Sequence, residues 1–208
     1  VMERAAAFLQ EGITEREVAD YIISQYAAEG CDAAAFQTIV SFGAHAADPH
    51  HEADQTPLKA GDCIVIDMGC RKDRYCSDMT RTFFCGEPDP KYAAIHDLVR
   101  EANELAESMI RPGVPLRDLD KAARDHIAAA GYGAYFGHSF GHGVGVEIHE
   151  SPNASPSNEQ PLPAGAVISA EPGIYLPGRL GVRIEDVVVL TEGGCTDITL
   201  APKELLIL

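Results

Sequence analysis

Asp67 and Asp78 are the first residues of this chain whose type and spacing suggest chemistry. Asp67 ends the apolar run Cys63-Ile-Val-Ile, and Asp78 follows a polar stretch, Arg71-Lys-Asp-Arg74. Residues 62–84 read as two strands joined by a turn at 71–74. With Lys72 and Asp73 at the turn centre, Asp67 and Asp78 stand directly opposite one another, on one face, with Cβ atoms roughly 4.5–5.5 Å apart. Two carboxylates at that distance repel by roughly 3 kcal/mol at an effective dielectric of about 20. Either both face solvent, or one holds a proton, or a cation sits between them. Asp67 closes a buried run, which disfavours the first arrangement.

The second half of the chain supplies more groups of the same kind. Glu171 ends the apolar segment Ala166-Val-Ile-Ser-Ala170, ahead of Pro172-Gly173. Glu185 lies inside Val182-Arg-Ile-Glu-Asp-Val-Val-Val. A glutamate in so apolar a strand is costly unless it is paired or ligates a metal. By strand alternation Asp186 faces the other way, and Arg183 shares the face of Glu185, as an ion-pair partner or a support. His138, His142 and His149 fall in or beside a glycine-rich bend at 137–145. Gly141 and Gly143 flank His142 and let other groups approach its backbone. Four carboxylates and one imidazole make an oxygen-rich donor set. It suits two divalent ions such as Mn²⁺, Co²⁺ or Fe²⁺ better than one tetrahedral Zn²⁺. Two ions about 3.5–4 Å apart lower the pKa of a shared water and polarise a carbonyl.

These residues need strands and helices to hold them. Residues 2–10 read as a helix. Thr14 and Glu17 form a capping box with an Ile13–Val18 staple, opening a helix with the stripe Val18, Ile22, Ile23, Tyr26 that ends at Gly30. Residues 36–41 read as a strand and 43–56 as a polar loop with His45, His50 and His51. Asp89-Pro90 starts a long helix bearing Tyr92, Ile95, Leu98, Val99, Ala102, Leu105 and Met109. A further helix carries Leu116, Leu119, Ala123 and Ile127. Residues 166–171 and 182–190 read as strands. The chain also repeats itself. Gly12 to Gly30 matches Gly113 to Gly131, Ser41-Phe42-Gly43 recurs as Ser139-Phe140-Gly141, and Leu58-Lys-Ala60-Gly61 recurs as Leu162-Pro-Ala164-Gly165. In the last register Asp67 falls on Glu171 and Gly69 on Gly173. Two such halves bring equivalent acids together about a local twofold.

Composition narrows the function classes. Of 208 residues 46% are hydrophobic, so one core is affordable without staples. The net charge of −16 argues against nucleic acid or an anionic membrane as partner. The six cysteines form no CxxC pair, which reads as reduced thiols in a cytoplasmic protein and not a thiolate metal site. No run of apolar residues is long enough to span a membrane.

Pro49-His50-His51, Ile66-Asp67-Met-Gly69, Ser77-Asp78-Met-Thr80-Arg81-Thr82, Gly137-His138-Ser-Phe-Gly141-His142-Gly143-Val-Gly145, Ala170-Glu171-Pro172-Gly173-Ile-Tyr175 and Arg183-Ile184-Glu185-Asp186 together resemble the pita-bread metallopeptidases. This group includes methionine aminopeptidase, aminopeptidase P and Xaa-Pro dipeptidase (prolidase). The resemblance covers essentially the whole chain and is nearest to the Xaa-Pro branch. It implies an α+β pita-bread (creatinase/aminopeptidase) fold across residues 1–208, with two αβ halves related by a pseudo-twofold around a curved antiparallel sheet. It implies two divalent ions, with Mn²⁺ foremost and Co²⁺, Fe²⁺ or Zn²⁺ as alternatives. Asp67 would hold one ion, Asp78 and Glu185 would bridge both, and His142 with Glu171 would hold the other. A bridging hydroxide would be the nucleophile, with Glu171 as proton shuttle and His50, His138 and His149 contacting a peptide substrate. Arg183 and Tyr175 would support the ligands from behind.

The implied activity is release of an N-terminal residue from an Xaa-Pro bond. Proline lacks an amide N–H, so the site must cradle the pyrrolidine ring, with His50, His138, His149, Phe140 and Tyr175 as expected walls. Members of the Xaa-Pro branch usually carry an N-terminal domain that helps them dimerise. The first residues already read as helix, so this chain is expected to be the catalytic part of a longer, homodimeric protein. The alternatives are a methionine aminopeptidase, or a creatinase-like or non-catalytic member of the fold. Members of the last kind have lost ligand positions, and all five stand here.

Overall fold

The computed structural model describes residues 1–208. In chain order the first half holds α1 (Met2–Phe8), α2 (Glu15–Ala28), β1 (Ala33–Ala34), β2 (Ile39–Phe42), β3 (Cys63–Asp67), β4 (Cys70–Lys72), β5 (Tyr75–Cys76) and β6 (Thr80–Phe84). Then come α3 (Pro90–Glu107), α4 (Leu116–Ala129), β7 (Gly141–Gly143), β8 (Glu150–Ala154), β9 (Val167–Ala170), β10 (Gly173–Leu176), β11 (Leu180–Arg183), β12 (Asp186–Thr191), β13 (Gly194–Asp197) and β14 (Leu206–Ile207). Local signals place the helices. Thr14 and Glu17 close the capping box on α2. The Asp89 side chain accepts from the Lys91 N–H at the start of α3, with Pro90 in the first turn.

One face of each helix is buried. On α4 it is Leu116, Leu119, Ala123 and Ile127, and on α3 it is Ile95, Val99, Ala102 and Ala106. Ile23 and Leu105, expected in these stripes, are exposed. Each sits one residue, about 100° of helix, from a buried position. α1 and α2 cover the inner face of β2, β3 and β6 in one apolar cluster, and α3 and α4 pack against the second half in the other.

The two halves are built alike. Gly12 donates to Leu58, and Gly113 to Leu162. Glu15 and Arg16 donate to Thr56 and Asp54, and Leu116 and Arg117 donate to Gln160 and Asn158. In the first half β3 lies between β2 and β6, and in the second β9 lies between β7 and β12. The Ser-Phe-Gly match, however, is three residues out of register. Phe42 faces Ile64 and Gly143 faces Ile168, so with β3 laid on β9 the counterpart of Phe42 is Gly143, not Phe140. The strands form four sheets, β1-β4-β5, β10-β11, β13-β12-β9-β7-β8 and β14-β6-β3-β2; the two largest meet at the Thr80–Glu185 bridge, and β14 alone runs parallel to its neighbour.

The hairpin turns one position later than expected. Lys72 pairs with Tyr75, so Asp73 and Arg74 form the turn, both with positive φ, at 51° and 71°. Such a turn matches the twist of the flanking strands. Thr80, not Asp78, is therefore opposite Asp67. The shift is two residues along the partner strand, so Asp78 keeps the parity of Thr80 and stays on the side of Asp67. The expected strand over 182–190 is likewise two strands, β11 and β12, interrupted at Ile184-Glu185.

His96, on α3, is 1% exposed with no partner for Nδ1, and burial pulls its pKa down to about 4. Its unfolded value is near 6.5, so its neutral form stabilises the fold above that pH, and the contribution is lost as pH falls toward 4. Between pH 7 and pH 5 the native chain should lose about 2 kcal/mol more than His96→Gln in urea unfolding. Equal losses would show that His96 is not linked to folding.

Candidate metal centre

The breaks in the strands matter because each one presents an acid. Asp67 ends β3, Asp78 lies between β5 and β6, Glu171 follows β9 and Glu185 sits between β11 and β12. Since Asp67 corresponds to Glu171, its cross-strand neighbour Thr80 corresponds to Glu185, one step beyond the Ala170–Asp186 pair. These equivalent residues meet on the local twofold, where the Glu185 N–H donates to the Thr80 carbonyl at 3.1 Å and the Thr80 hydroxyl donates to Glu185 Oε2 at 2.7 Å.

All five candidate ligands, with Arg183 and the three site histidines, line one cavity of about 480 Å³. Ligand atoms of Asp78, His142 and Glu185 lie within 4.8 Å of one another. His142 Nε2 is 3.2 Å from Glu171 Oε1 and 3.7 Å from Asp78 Oδ2. Asp67 lies outside the tight triplet. Its Oδ2 is held by Arg183 at 2.6 Å, while Oδ1 is buried with no partner. The glycines beside His142 do what the sequence implied. A Cβ on Gly141 would meet the Ser169 carbonyl, and one on Gly143 the carbonyls of Glu150 and Ser151.

The tautomer of His142 follows from its surroundings. Nδ1 is 3.0 Å from the Gly143 carbonyl, which only accepts, so Nδ1 carries the hydrogen. A neutral ring then turns the Nε2 lone pair toward the oxygens of Glu171 and Asp78. That contact is repulsive unless a proton or a cation lies between them. The electrostatics agree. Burial opposes a charge on His142, but Glu171's hydrogen bond and charge outweigh it and raise the pKa. Burial first, and then the neighbouring acids, hold Asp78 and Glu185 well above the usual carboxylate range. Burial also raises Asp67, against the pull of Arg183. For Glu171 burial is outweighed by His142 and His138, so its pKa is lowered. An orphaned oxygen, a lone pair among acids and three carboxylates with raised pKa values fit a cation-binding set of hard donors.

Behind the acids runs a chain of donors. Arg183, 3% exposed, gives one nitrogen to Asp67, Nε to the Thr80 hydroxyl at 3.1 Å and another nitrogen to the Tyr175 hydroxyl at 2.9 Å. No contact joins it to Glu185, so the simple ion pair on that face does not form. Tyr175 in turn lies 2.8 Å from His138 Nε2, and His138 Nδ1 lies 2.8 Å from the Ser139 carbonyl. Both ring nitrogens of His138 are thus engaged within the wall, and burial lowers its pKa. His50 and His149 are exposed at the cavity, with the His149 ring edge-on to His142 at 4.2 Å. Phe140 and Tyr175 do not line the cavity. Phe140 is fully buried in the core, and Phe36, Ile39, Pro49 and Ile148 supply the apolar wall.

Sequence reasoning missed several supports. Ser169 accepts from the His142 N–H at 3.0 Å and donates to Glu171 at 3.1 Å. Arg81 holds Asp186 at 2.6 Å and the Glu185 carbonyl at 2.6 Å. Glu15, fully buried at the start of α2, receives the N–H groups of Phe42 and Asp54 and meets His45 and His51 at 3.0 and 2.7 Å. Thr80-Arg81-Thr82 beside Asp78 was a readable signal, whereas nothing near Glu15 marks it as buried.

The comparisons accord with this geometry. The model of metallopeptidase family M24 matches residues 1–192. The chain belongs to that family. It is 45% identical over 198 residues to an uncharacterised peptidase of Staphylococcus saprophyticus, covering 95% of this chain and 57% of that relative. It therefore spans little more than half the length of that M24 relative. An X-Pro aminopeptidase from Thermotoga maritima superposes with a TM-score of 0.97 at 41% identity, over 100% of this chain and 59% of that one. An Xaa-Pro dipeptidase from Bacillus anthracis does so with 0.98 at 40%, over 100% and 58%. The fold is the α+β pita-bread fold of M24 peptidases.

Arg183→Leu should cost about 3–5 kcal/mol of stability in metal-free protein, because it strands the buried Asp67 charge. Adding Asp67→Asn should recover much of that loss in chemical denaturation. If the double variant is as unstable as the sum of the singles, the two residues are not coupled.

Proposed function

We propose that this M24 chain is the catalytic part of a dinuclear-metal exopeptidase that hydrolyses N-terminal Xaa-Pro bonds. The observation that carries the reading is the His142 lone pair facing Glu171 and Asp78 in a cavity that also holds Asp67 and Glu185. Asp67 would hold one ion through its unpaired Oδ1, Asp78 and Glu185 would share both, and His142 and Glu171 would hold the second. Mn²⁺ suits four carboxylates and one imidazole best, with Co²⁺, Fe²⁺ and Zn²⁺ as alternatives. Bound there, the ions supply Lewis acidity toward the scissile carbonyl and an acidified water.

The chain's own residues do the rest. Ser169 fixes Glu171 Oε1, leaving Oε2 to take a proton from the attacking water and return it to the leaving nitrogen. His50 and His149 stand at the opening, where an imidazole N–H can donate to the developing oxyanion. His138, tied to Tyr175, gives a ring face to the wall. Phe36, Ile39, Pro49 and Ile148 offer apolar surface to a ring that needs no N–H acceptor. The solved relatives, an X-Pro aminopeptidase and an Xaa-Pro dipeptidase, support this choice of bond. A homodimer of the whole protein and residence in the cytoplasm complete the proposal. No helix is long and apolar enough to cross a membrane.

Two experiments test it. With Mn²⁺, the whole protein should cleave Ala-Pro or Ala-Pro-Ala. Release of Met from Met-Ala-Ser with both proline peptides untouched would make it a methionine aminopeptidase instead. His149→Ala should lower kcat about 10²-fold or more while metal content stays unchanged. Loss of metal along with activity would make His149 a ligand.

A further inference from the structure

Six cysteines are free, and five of them lie in the first half, outside any role in the site. Cys63, Cys76 and Cys195 each direct Sγ at a backbone carbonyl, those of Gly43, Val146 and Glu107. Cys85 is buried. Cys31 and Cys70 differ, because each has the other's sulfur as neighbour, with the Sγ atoms 2.8 Å apart. Both are half-buried, within reach of a small reagent. Cys31 lies just beyond α2 and Cys70 opens β4.

The backbone on either side is fixed by hydrogen bonds, and although Cys70 faces Ala34 in the β1–β4 pairing, the two sulfurs meet beside it. Asp32 donates to the Arg71 carbonyl at 2.7 Å, Ala35 to Gly69 at 2.9 Å, and Lys72 Nζ to the Glu29 carbonyl at 2.8 Å. Sulfurs already this close need little movement of the chain to be joined. The Ser77 hydroxyl also points at Cys70 Sγ, at 3.6 Å, where it can donate to a thiolate.

We propose that Cys31 and Cys70 form a dithiol site for small disulfides and close to an intramolecular disulfide when oxidised. The Cys70 thiolate attacks one sulfur of a reagent R–S–S–R, forming a mixed disulfide and releasing R–S⁻. The Cys31 thiolate then attacks Cys70 Sγ, forms the Cys31–Cys70 bond and releases the second R–S⁻. The two thiol protons end on the two released thiols, and the reagent carries away both electrons. Burial, with Cys70 beside it, pushes the Cys31 thiol up to about 11, so closure accelerates as pH rises. The bond would join two segments that line the cavity. Phe36 and Gln37 follow Cys31, and Asp67 and Asp78 flank Cys70. It ties the cavity wall to the hairpin through a covalent loop between residues 31 and 70, independently of the substrate assigned above.

The test uses reduced, folded chain incubated with oxidised glutathione, alkylated, and mapped by peptide mass spectrometry. Four of the six thiols should remain, with one link between Cys31 and Cys70, formed faster at pH 8.5 than at pH 7. Cys31→Ser should stop at a glutathione adduct on Cys70, and Cys195→Ser should leave the link intact. Should Cys31→Ser fail to fold, Cys31→Ala serves the same comparison. Six free thiols after treatment, a stable adduct on Cys70 in the unaltered chain, or a link through any other cysteine would overturn the proposal.

Discussion

The cavity gathers more negative charge than its own residues can balance. Asp67, Asp78, Glu171 and Glu185 converge there, and only Arg183 and the one imidazole of His142 answer them at close range. Arg183 is committed to Asp67, Thr80 and Tyr175. Burial first, and then the charge of the neighbouring acids, raises the pKa of three of the four, and one carboxylate oxygen has no partner. Gathering acids in this way is costly, so the surrounding structure must be rigid enough to hold them. Asn103 of α3 grips the Ala170 carbonyl just before Glu171, at 2.8 Å, and Arg81 grips the peptide of Glu185 from behind.

The duplication explains how so strained a set arises from ordinary parts. Each half contributes a helix clamped to a loop by the same backbone bonds and a strand that ends in an acid. The halves then join at Thr80 and Glu185, equivalent positions with different side chains. One half offers a hydroxyl and the other a carboxylate, and the hydroxyl binds the carboxylate. Two glutamates on the axis would repel. The asymmetry of the pair lets the two sheets meet there.

Much of this was legible in the sequence, for physical reasons that differ by residue. Asp67, Glu171 and Glu185 stood out because a carboxylate beside an apolar strand needs a reason to be there. The register of Leu58-Lys-Ala-Gly on Leu162-Pro-Ala-Gly was right because those turns start equivalent strands. Ser-Phe-Gly misled, since three common residues recur by chance, and the core took Phe140 away from the cavity. The hairpin register was off because Lys72-Asp73 and Asp73-Arg74 are equally polar, and only the positive φ at Asp73 and Arg74 settles which pair turns. Glu15 was invisible. Its burial depends on His45, His51 and the N–H groups of Phe42, at the end of β2, and Asp54, all distant in sequence, which no local pattern encodes.

We propose that the acids tolerate one another because two cations hold them together. Equilibrium dialysis of metal-depleted chain against Mn²⁺, followed by elemental analysis, measures this directly. Two ions should bind per native chain, and both should be lost from Asp78→Asn, which removes a shared ligand while keeping the shape of the side chain. No bound Mn²⁺ in the native chain, or two ions still held by Asp78→Asn, would contradict it.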